Sequence, residues 1–551
     1  MAVGNATEFP DRGVAPARAG IVLATLILVA AIANLPLSVA FVALPSIGAH
    51  FDCSQTALNL VAVGYSLGLA ASVLWLGALG DRYGRRAVMC AGLVLSVPAA
   101  VASAWAGSIE VLVVARLVGG LAAGMAFPTT LALITALWAD GPARTRSIAL
   151  WSATGGAITA LGPLVGGVLL LRFWWGAAFL VTLPLVALAV PLVLGCVPAH
   201  VGEDRDPVDN VGGALSVLLV GGLIAGINLA VVPGLRSTAL VGLGVAVLAA
   251  VAFVLRQRRA ANPLYDLGVA GRPTFWVAAI AGVIVFGTLM GTVFVGQQFV
   301  QNVLGYSAAQ AGLAVLPMAV FMLTLAPVSA RIVEARGARV ALLVGYVPVL
   351  LAFVVMLVAW DPGVGYWAVG LAYALVGAGV GLAGTPASHS LTGSVPVRRA
   401  GMASGTADLQ RDLGGAIMQS LLGALLTAGY AQAFARRVAD APDAGSVTTQ
   451  VEGQLTRSFA SAAEVAARYP KYADEIVAAA RSSFVAGQRW AYLAGTVAVL
   501  LGMALVATVF PGRDRERTLL AGYRAADGGS SDSPRPPDAA DAPHRADPTT
   551  G

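Results

Sequence analysis

Long apolar runs, broken by short charged turns, repeat along nearly the whole chain. A helix that crosses a bilayer needs about 20 apolar residues. Fourteen segments reach that length, at roughly 19–46, 57–79, 87–108, 111–138, 145–171, 173–197, 211–233, 237–255, 274–299, 308–330, 339–360, 364–388, 401–431 and 490–511. Residues 273–330 form one uncharged run. It is divided at Gln301-Asn302 and Gly305-Tyr306-Ser307, which read as a turn on the outer side. Residues 432–489 form a long stretch of mixed charge before the last run, expected outside the cell. Its part 459–488 is Ala-rich and reads as helical, interrupted at Pro470. Residues 1–18 are polar, carry Pro10 and Pro16, and read as a cytoplasmic tail. Residues 512–551, rich in Gly, Ser and Pro, read as a disordered cytoplasmic tail. The first run has no Ala-x-Ala cleavage pattern and is too long for a signal peptide core.

Charge placement tests the count. With the amino terminus inside, the inner turns hold seventeen arginines: 12, 18, 82, 85, 86, 144, 146, 205, 256, 258, 259, 272, 331, 336, 339, 398 and 399. The short outer turns hold two, Arg172 and Arg236. Inner loops of membrane proteins carry this arginine excess, and a wrong count would scramble it. Both termini are therefore expected in the cytoplasm. Of 551 residues, 11% are charged, against about 25% in soluble domains. The net charge of +6 does not indicate nucleic acid, because the arginines lie between apolar runs rather than on one face. Cys53, Cys90 and Cys196 fall in different runs, so neither a disulfide framework nor a metal site is indicated. Lys471 is the one lysine, and no Gly-Lys pair exists. A phosphate-cradling loop needs that pair, so direct ATP hydrolysis at such a site is excluded.

Residues 77–86 read Gly-Ala-Leu-Gly-Asp-Arg-Tyr-Gly-Arg-Arg between two uncharged runs, 53–80 and 87–109. Gly77 lets two helices approach closely. Asp81 can cap a neighbouring helix, whose positive end favours an anion. Gly84 permits a sharp reversal. Arg82, Arg85 and Arg86 hold the turn in the headgroup layer. An ordinary basic loop would explain the arginines but not the Gly-Asp-Gly spacing. The stretch resembles the loop between helices 2 and 3 of the major facilitator superfamily, matching Gly-x-Leu-x-Asp-Arg-x-Gly-Arg-Arg at every fixed position. A weaker echo runs from Ala326-Pro327 through Arg331, Glu334, Gly337 and Arg339, with Glu334 in the place of Asp81 and Gly337 in the place of Gly84. The resemblance spans residues 19–511 and is nearest the fourteen-helix drug:proton antiporter branch. It implies an all-α membrane fold of two six-helix bundles, 19–197 and 274–511, with two inserted helices in 198–273. The substrate path of such repeats lies between the halves.

Several residues carry candidate chemistry. Gly162, Pro163, Gly166 and Gly167 match the superfamily's antiporter motif, Gly-Pro-x-x-Gly-Gly. Pro163 bends the helix and the glycines make a flat face; simple helix packing is the other reading. Arg116 lies inside the fourth run, and an intramembrane charge is a functional hypothesis by default. It sits about 9 Å along the helix from Glu110. The resemblance places it in Arg-x-x-Gln-Gly, implicated in proton coupling, although Gly119 replaces the glutamine. The acid that many relatives carry in the first helix is Pro36 here. Asp408, Arg411 and Asp412 share one face of the thirteenth helix. Asp412 lies about 20 Å in from Arg399. Carboxylates there can take and release protons, because burial and a neighbouring guanidinium act on them in opposite senses. A self-neutralising structural cluster is the alternative. Asn34, Tyr65, Asn228, Gln297, Gln298 and Tyr373 are lining candidates that also suit helix-to-helix hydrogen bonds.

These readings imply a secondary transporter of the bacterial inner membrane. It would export amphipathic organic compounds or drugs by alternating access, with no bound cofactor and the proton gradient as its energy source. Its partners are a small-molecule substrate, protons and the lipid bilayer; no nucleic acid is implied, and no motif identifies a periplasmic adaptor. An importer or facilitator of the same fold is the alternative, and a non-transporting membrane partner protein a third. An enzyme is not expected, since no His-Glu-x-x-His or paired metal motif occurs.

Overall fold

The structure is a computed structural model that describes residues 18–138, 142–199, 207–230, 232, 234–395, 400–441 and 448–529. Among these residues all regular structure is helical. The first half holds α1 (Ala19–Phe51), α2 (Gln55–Tyr83), α3 (Arg85–Ala104), α4 (Ile109–Leu137), α5 (Pro142–Leu170), α6 (Ala177–Leu180) and α7 (Leu183–Cys196). Two helices follow, α8 (Asn210–Leu229) and α9 (Arg236–Arg259), then the single turn α10 (Leu267–Ala270). The second half holds α11 (Pro273–Gln298), α12 (Ala308–Ala314), α13 (Leu316–Arg336), α14 (Ala338–Ala359), α15 (Tyr366–Gly393) and α16 (Ala400–Ala439). It continues with α17 (Thr449–Arg457), α18 (Phe459–Arg468), α19 (Ala473–Val509) and α20 (Arg513–Gly529).

Local chemistry sets many of the ends. Ser54 accepts from the Ala57 N–H and starts α2; Ser108 does the same for α4 and Asp209 for α8. Each meets an amide that the helix itself leaves unbonded. Ser307 and Gln310 form a reciprocal capping box on α12. The tight turn at Gly84 (φ 101°) and its echo at Gly337 (φ 85°) both need a left-handed backbone, which glycine adopts freely. The repeat seen in the sequence is thus a repeat in backbone geometry.

Thirteen helical stretches among the described residues are long and apolar enough to cross a membrane. The expected fifth span, α5, has 29 residues, about 43 Å of helix, which is long enough to cross a bilayer. Trp151 of this helix donates to Thr130 Oγ1 of α4 at 3.0 Å. The helices differ in exposure. The most apolar window of α1 is 83% buried and that of α9 is 17% buried, so α1 is central and α9 faces lipid. The inserted α8 packs on α2 and α16, and α9 covers α8. Asp209 fastens this pair, accepting from Arg256 Nε at 3.0 Å and Gln257 Nε2 at 3.1 Å.

Four expectations need correction. The tail after Pro511 is not wholly disordered, since α20 is helical and docks on the turn between α13 and α14. There Glu516 accepts from the Ala338 N–H at 3.3 Å and Arg513 donates to the Glu334 carbonyl at 3.0 Å. Residues 530–551, like 1–17, lie outside the described residues. The long outer stretch is shorter than 432–489, because α16 and α19 run on beyond the apolar segments to Ala439 and from Ala473. The break at Pro470 stands. The turn after α11 begins at Leu304, because residues Phe299–Val303 continue the helix as a π-turn. Asp81 caps no neighbouring helix: its Oδ1 accepts from Arg85 Nε in the same turn at 2.7 Å.

Candidate functional site

The two halves meet along α2 and α16, α5 and α12, and α1 and α11. On the face that carries α17 and α18, away from the arginine-rich turns, they are joined closely. Gln55 donates to Gln298 Oε1 at 2.8 Å and Asn59 donates to Thr427 Oγ1 at 3.1 Å. Gln301 donates to the Val42 carbonyl at 3.2 Å. On the same face a Cβ at Gly167 would run into the Ala308 carbonyl oxygen, and one at Gly312 would lie 2.5 Å from the Pro163 carbonyl oxygen. Gly162 is pressed on Ser38 of α1 and Gly166 on Val39. The glycines of the predicted antiporter motif therefore do two things. Gly162 and Gly166 seat α5 on α1, and Gly167 faces the other half.

α16 brings Asp408 and Asp412 into the interior, 2% and 3% exposed. Their Oδ2 atoms have no hydrogen-bond partner. Arg411, expected to pair with one of them, instead lies over the Phe286 ring of α11, 5.2 Å from its centre. Spacings of three and four put the three side chains on neighbouring rows, but the longer arginine reaches the adjacent aromatic face instead. Asp412 lies near enough to Tyr65 of α2 for its charge to act on the phenol.

Tyr65 in turn holds Arg116. The guanidinium lies 4.8 Å from the Tyr65 ring centre and 5.4 Å from that of Phe179. Arg116 Nε donates to the Val61 carbonyl at 3.2 Å and Nη1 to the Pro36 carbonyl at 2.9 Å. Nη2 has no partner. Glu110 does not join this site; it is exposed in the first turn of α4, bonded to Ser108. Gly119 packs on the Tyr65 ring, where an added Cβ would lie 3.2 Å from the ring edge.

The predicted lining residues serve mostly as joints between elements. Tyr65 donates to the Ala33 carbonyl at 2.8 Å and Asn34 to the Ala30 carbonyl at 2.8 Å. Asn228 donates to Ser420 Oγ at 2.9 Å and ties α8 to α16. Gln297 donates to the Ala311 carbonyl at 2.9 Å. Tyr373 sits edge-on to Trp360 within an aromatic cluster that includes Phe299 and Tyr492. Of the turn residues, Arg85 also donates to the Ala132 carbonyl and Arg86 to the Val197 carbonyl. Arg82 lies over Tyr83, and Gly77 meets Pro128 of α4.

A contact that no local signal marks joins α18 to the first half. Asp52 accepts from Ser461 Oγ at 2.7 Å, and Ser458 Oγ donates to the Cys53 carbonyl at 3.0 Å. The two ends lie more than four hundred residues apart in the chain, and neither is part of a recurring motif.

The profile of the Major Facilitator Superfamily matches residues 26–418. The chain is similar to the multidrug efflux pump LfrA of Mycolicibacterium smegmatis, 32% identical over 502 residues that cover 90% of this chain and 97% of the relative. It is also 32% identical to the multidrug resistance protein Stp of Mycobacterium tuberculosis over 489 residues, covering 88% of this chain and 87% of the relative. Among solved structures, a bacterial homolog of the human lysosomal transporter Spinster, inward-facing and occupied, superposes with a TM-score of 0.58. At 16% identity, covering 90% of this chain and 98% of that one, it shows a shared fold.

Proposed function

The chain belongs to the Major Facilitator Superfamily, and from that premise we propose that it is a secondary active exporter of amphipathic organic compounds, driven by inward proton movement. The observation that carries this reading is the seating of α5. Its glycine face lies against α1 and against α12 of the other half, so the contact of the halves on this face runs through α5. The relatives named as multidrug pumps support a drug-like substrate. Asp408 and Asp412, buried with unpaired oxygens at the junction, are suited to exchange protons as the halves rock. No bound cofactor is required, because the gradient supplies the energy.

The arginine excess of the turns supports a topology with that face and both termini in the cytoplasm and α17–α18 outside. Reporter fusions at Arg205 and Arg399 should then report cytoplasm, and one near Ala462 the exterior. For transport, everted membrane vesicles containing the full chain should accumulate ethidium when a proton gradient is applied and release it when an uncoupler is added. Accumulation in right-side-out vesicles instead would favour the importer reading. No gradient-dependent movement in either orientation would overturn secondary transport of this cargo.

A further inference from the structure

Arg116 is 2% exposed, about 10 Å along α4 from its first residue. A guanidinium stays charged in proteins, so the site holds a full positive charge at membrane depth. Two carbonyls and two aromatic faces satisfy part of it. No carboxylate among the described residues pairs with it, and Nη2 is unpartnered. In the first helix, the residue whose carbonyl meets Arg116 is a proline, which brings no charge of its own. A buried charge without a counter-charge is costly.

Arg116 borders a cavity of about 30 Å³, shared with Tyr65, Ser103, Phe179, Thr182 and Pro36. That is room for roughly two water-sized groups, the size of the two oxygens of a carboxylate. Ser96, Ser103 and Thr182 also line it, and Ile32, Ala99, Ala100 and Ala115 make an apolar part of the wall.

We propose that this cavity binds the carboxylate of an amphipathic organic acid, which supplies the counter-charge that no described residue brings. The inference rests on reading the chain as a transporter of amphipathic compounds, and it assigns part of its cargo to organic anions. The free edge of the guanidinium takes the carboxylate, Tyr65 and Phe179 hold the guanidinium plane, the first methylene meets the apolar part of the wall, and the rest of the molecule lies outside the cavity. A dianionic phosphate would bring more oxygens than the cavity accommodates. A small inorganic anion such as chloride shares the charge but gains nothing from the apolar wall.

The test measures binding to the full chain in nanodiscs with no gradient present, so it is independent of whether the protein exports anything. The probes are pyrene-1-butyrate and its methyl ester, read by equilibrium dialysis with empty nanodiscs subtracted. The acid should bind about tenfold or more tighter than the ester. Pro36→Glu, which builds a carboxylate beside Arg116, should cut acid binding about tenfold and leave ester binding unchanged. Arg116→Gln should do the same, and Pro36→Glu keeps the test open if Arg116→Gln fails to fold. Equal binding of acid and ester, or acid binding untouched by Pro36→Glu, would overturn the proposal. So would displacement of the acid by chloride at tens of millimolar, which would mark an inorganic-anion site.

Discussion

Asp52, in the turn that ends α1, accepts a hydrogen bond from Ser461 on α18 at 2.7 Å. Arg457 lies 3.4 Å from the other oxygen of the same carboxylate. Through this pair a segment inserted in the second half clasps the first half, on the face where the halves are already joined. Asp52 holds a left-handed backbone (φ 42°), which aspartate tolerates better than most residues.

If this clasp helps keep that face shut, weakening it should expose Cys53, which is 2% exposed beneath it. Burial pushes the Cys53 thiol up to about 11, with partial relief from Arg457, so it reacts slowly at neutral pH. One hydrogen bond and one half-exposed ion pair together contribute about 1–2 kcal/mol. Ser461→Ala, in a Cys90→Ser, Cys196→Ser background, should therefore raise maleimide labelling of Cys53 roughly fivefold or more at pH 8. An unchanged rate would show that α18 rests on the first half without restraining it.

Gly167 offers a second handle on the same closure. A side chain there would strike the backbone of Ala308, which cannot move as a flexible side chain can. Overpacking of this kind costs about 1–3 kcal/mol. Gly167→Ala should shift the halves apart on this face while leaving α5 seated on α1 through Gly162 and Gly166. Spin labels at Leu171 and Leu313, both well exposed, should report a longer and broader distance in the variant. A distribution identical to the parent would mean that the α5–α12 contact does not set the closed state.

Docking of α20 should depend on pH. Burial holds the Glu516 carboxyl above its ordinary range, partly offset by the Ala338 N–H and by Arg517. The docked form therefore binds the proton more tightly than the released form. Docking is strongest below the ordinary glutamate range and weakens as pH rises through the higher, docked-state value. Limited proteolysis at the arginines of 513–517 should be slower at pH 5 than at pH 8, after correction for protease activity. Glu516→Gln should remove the difference. A slope that survives in Glu516→Gln would assign it to another group.

Much of the fold was legible because run length alone fixes where a chain can cross a bilayer. The turn at Gly84 and its echo at Gly337 were legible because a left-handed backbone leaves few choices of residue. The α5 glycines were legible as a packing face, but not that Gly167 alone faces Ala308 across the halves. That depends on how two bundles meet, which no local pattern encodes. Arg411 shows a similar limit. Its spacing allows a pair with either aspartate, and the Phe286 ring that draws it away lies on another helix. The docking of α20 was hidden for a different reason. Its sequence is polar, and it binds through a capped amide and a backbone carbonyl, which leave no mark in residue type.

Proton coupling is the last expectation, and we propose that Asp412 carries it. Pro36 removes any acid from the middle of the first helix, and Glu110 lies exposed at the end of α4. Asp408 and Asp412 are the buried carboxylates on α16, and Arg411 has turned to Phe286, so neither is neutralised by it at contact distance. A carboxylate kept from water is costly when charged and unpaired. Binding and losing a proton can therefore change how favourably α16 sits against α2. Asp412 is the member whose charge reaches Tyr65, and Tyr65 is the residue that also holds Arg116. A proton on Asp412 would therefore remove a charge that acts on Tyr65 of the other half. Asp412→Asn should abolish gradient-driven ethidium movement in everted vesicles, while ethidium binding and downhill exchange remain. Asp408→Asn, one turn nearer the arginine-rich face, should weaken coupling less. Gradient-driven transport at the parental rate in both variants would make the two carboxylates structural.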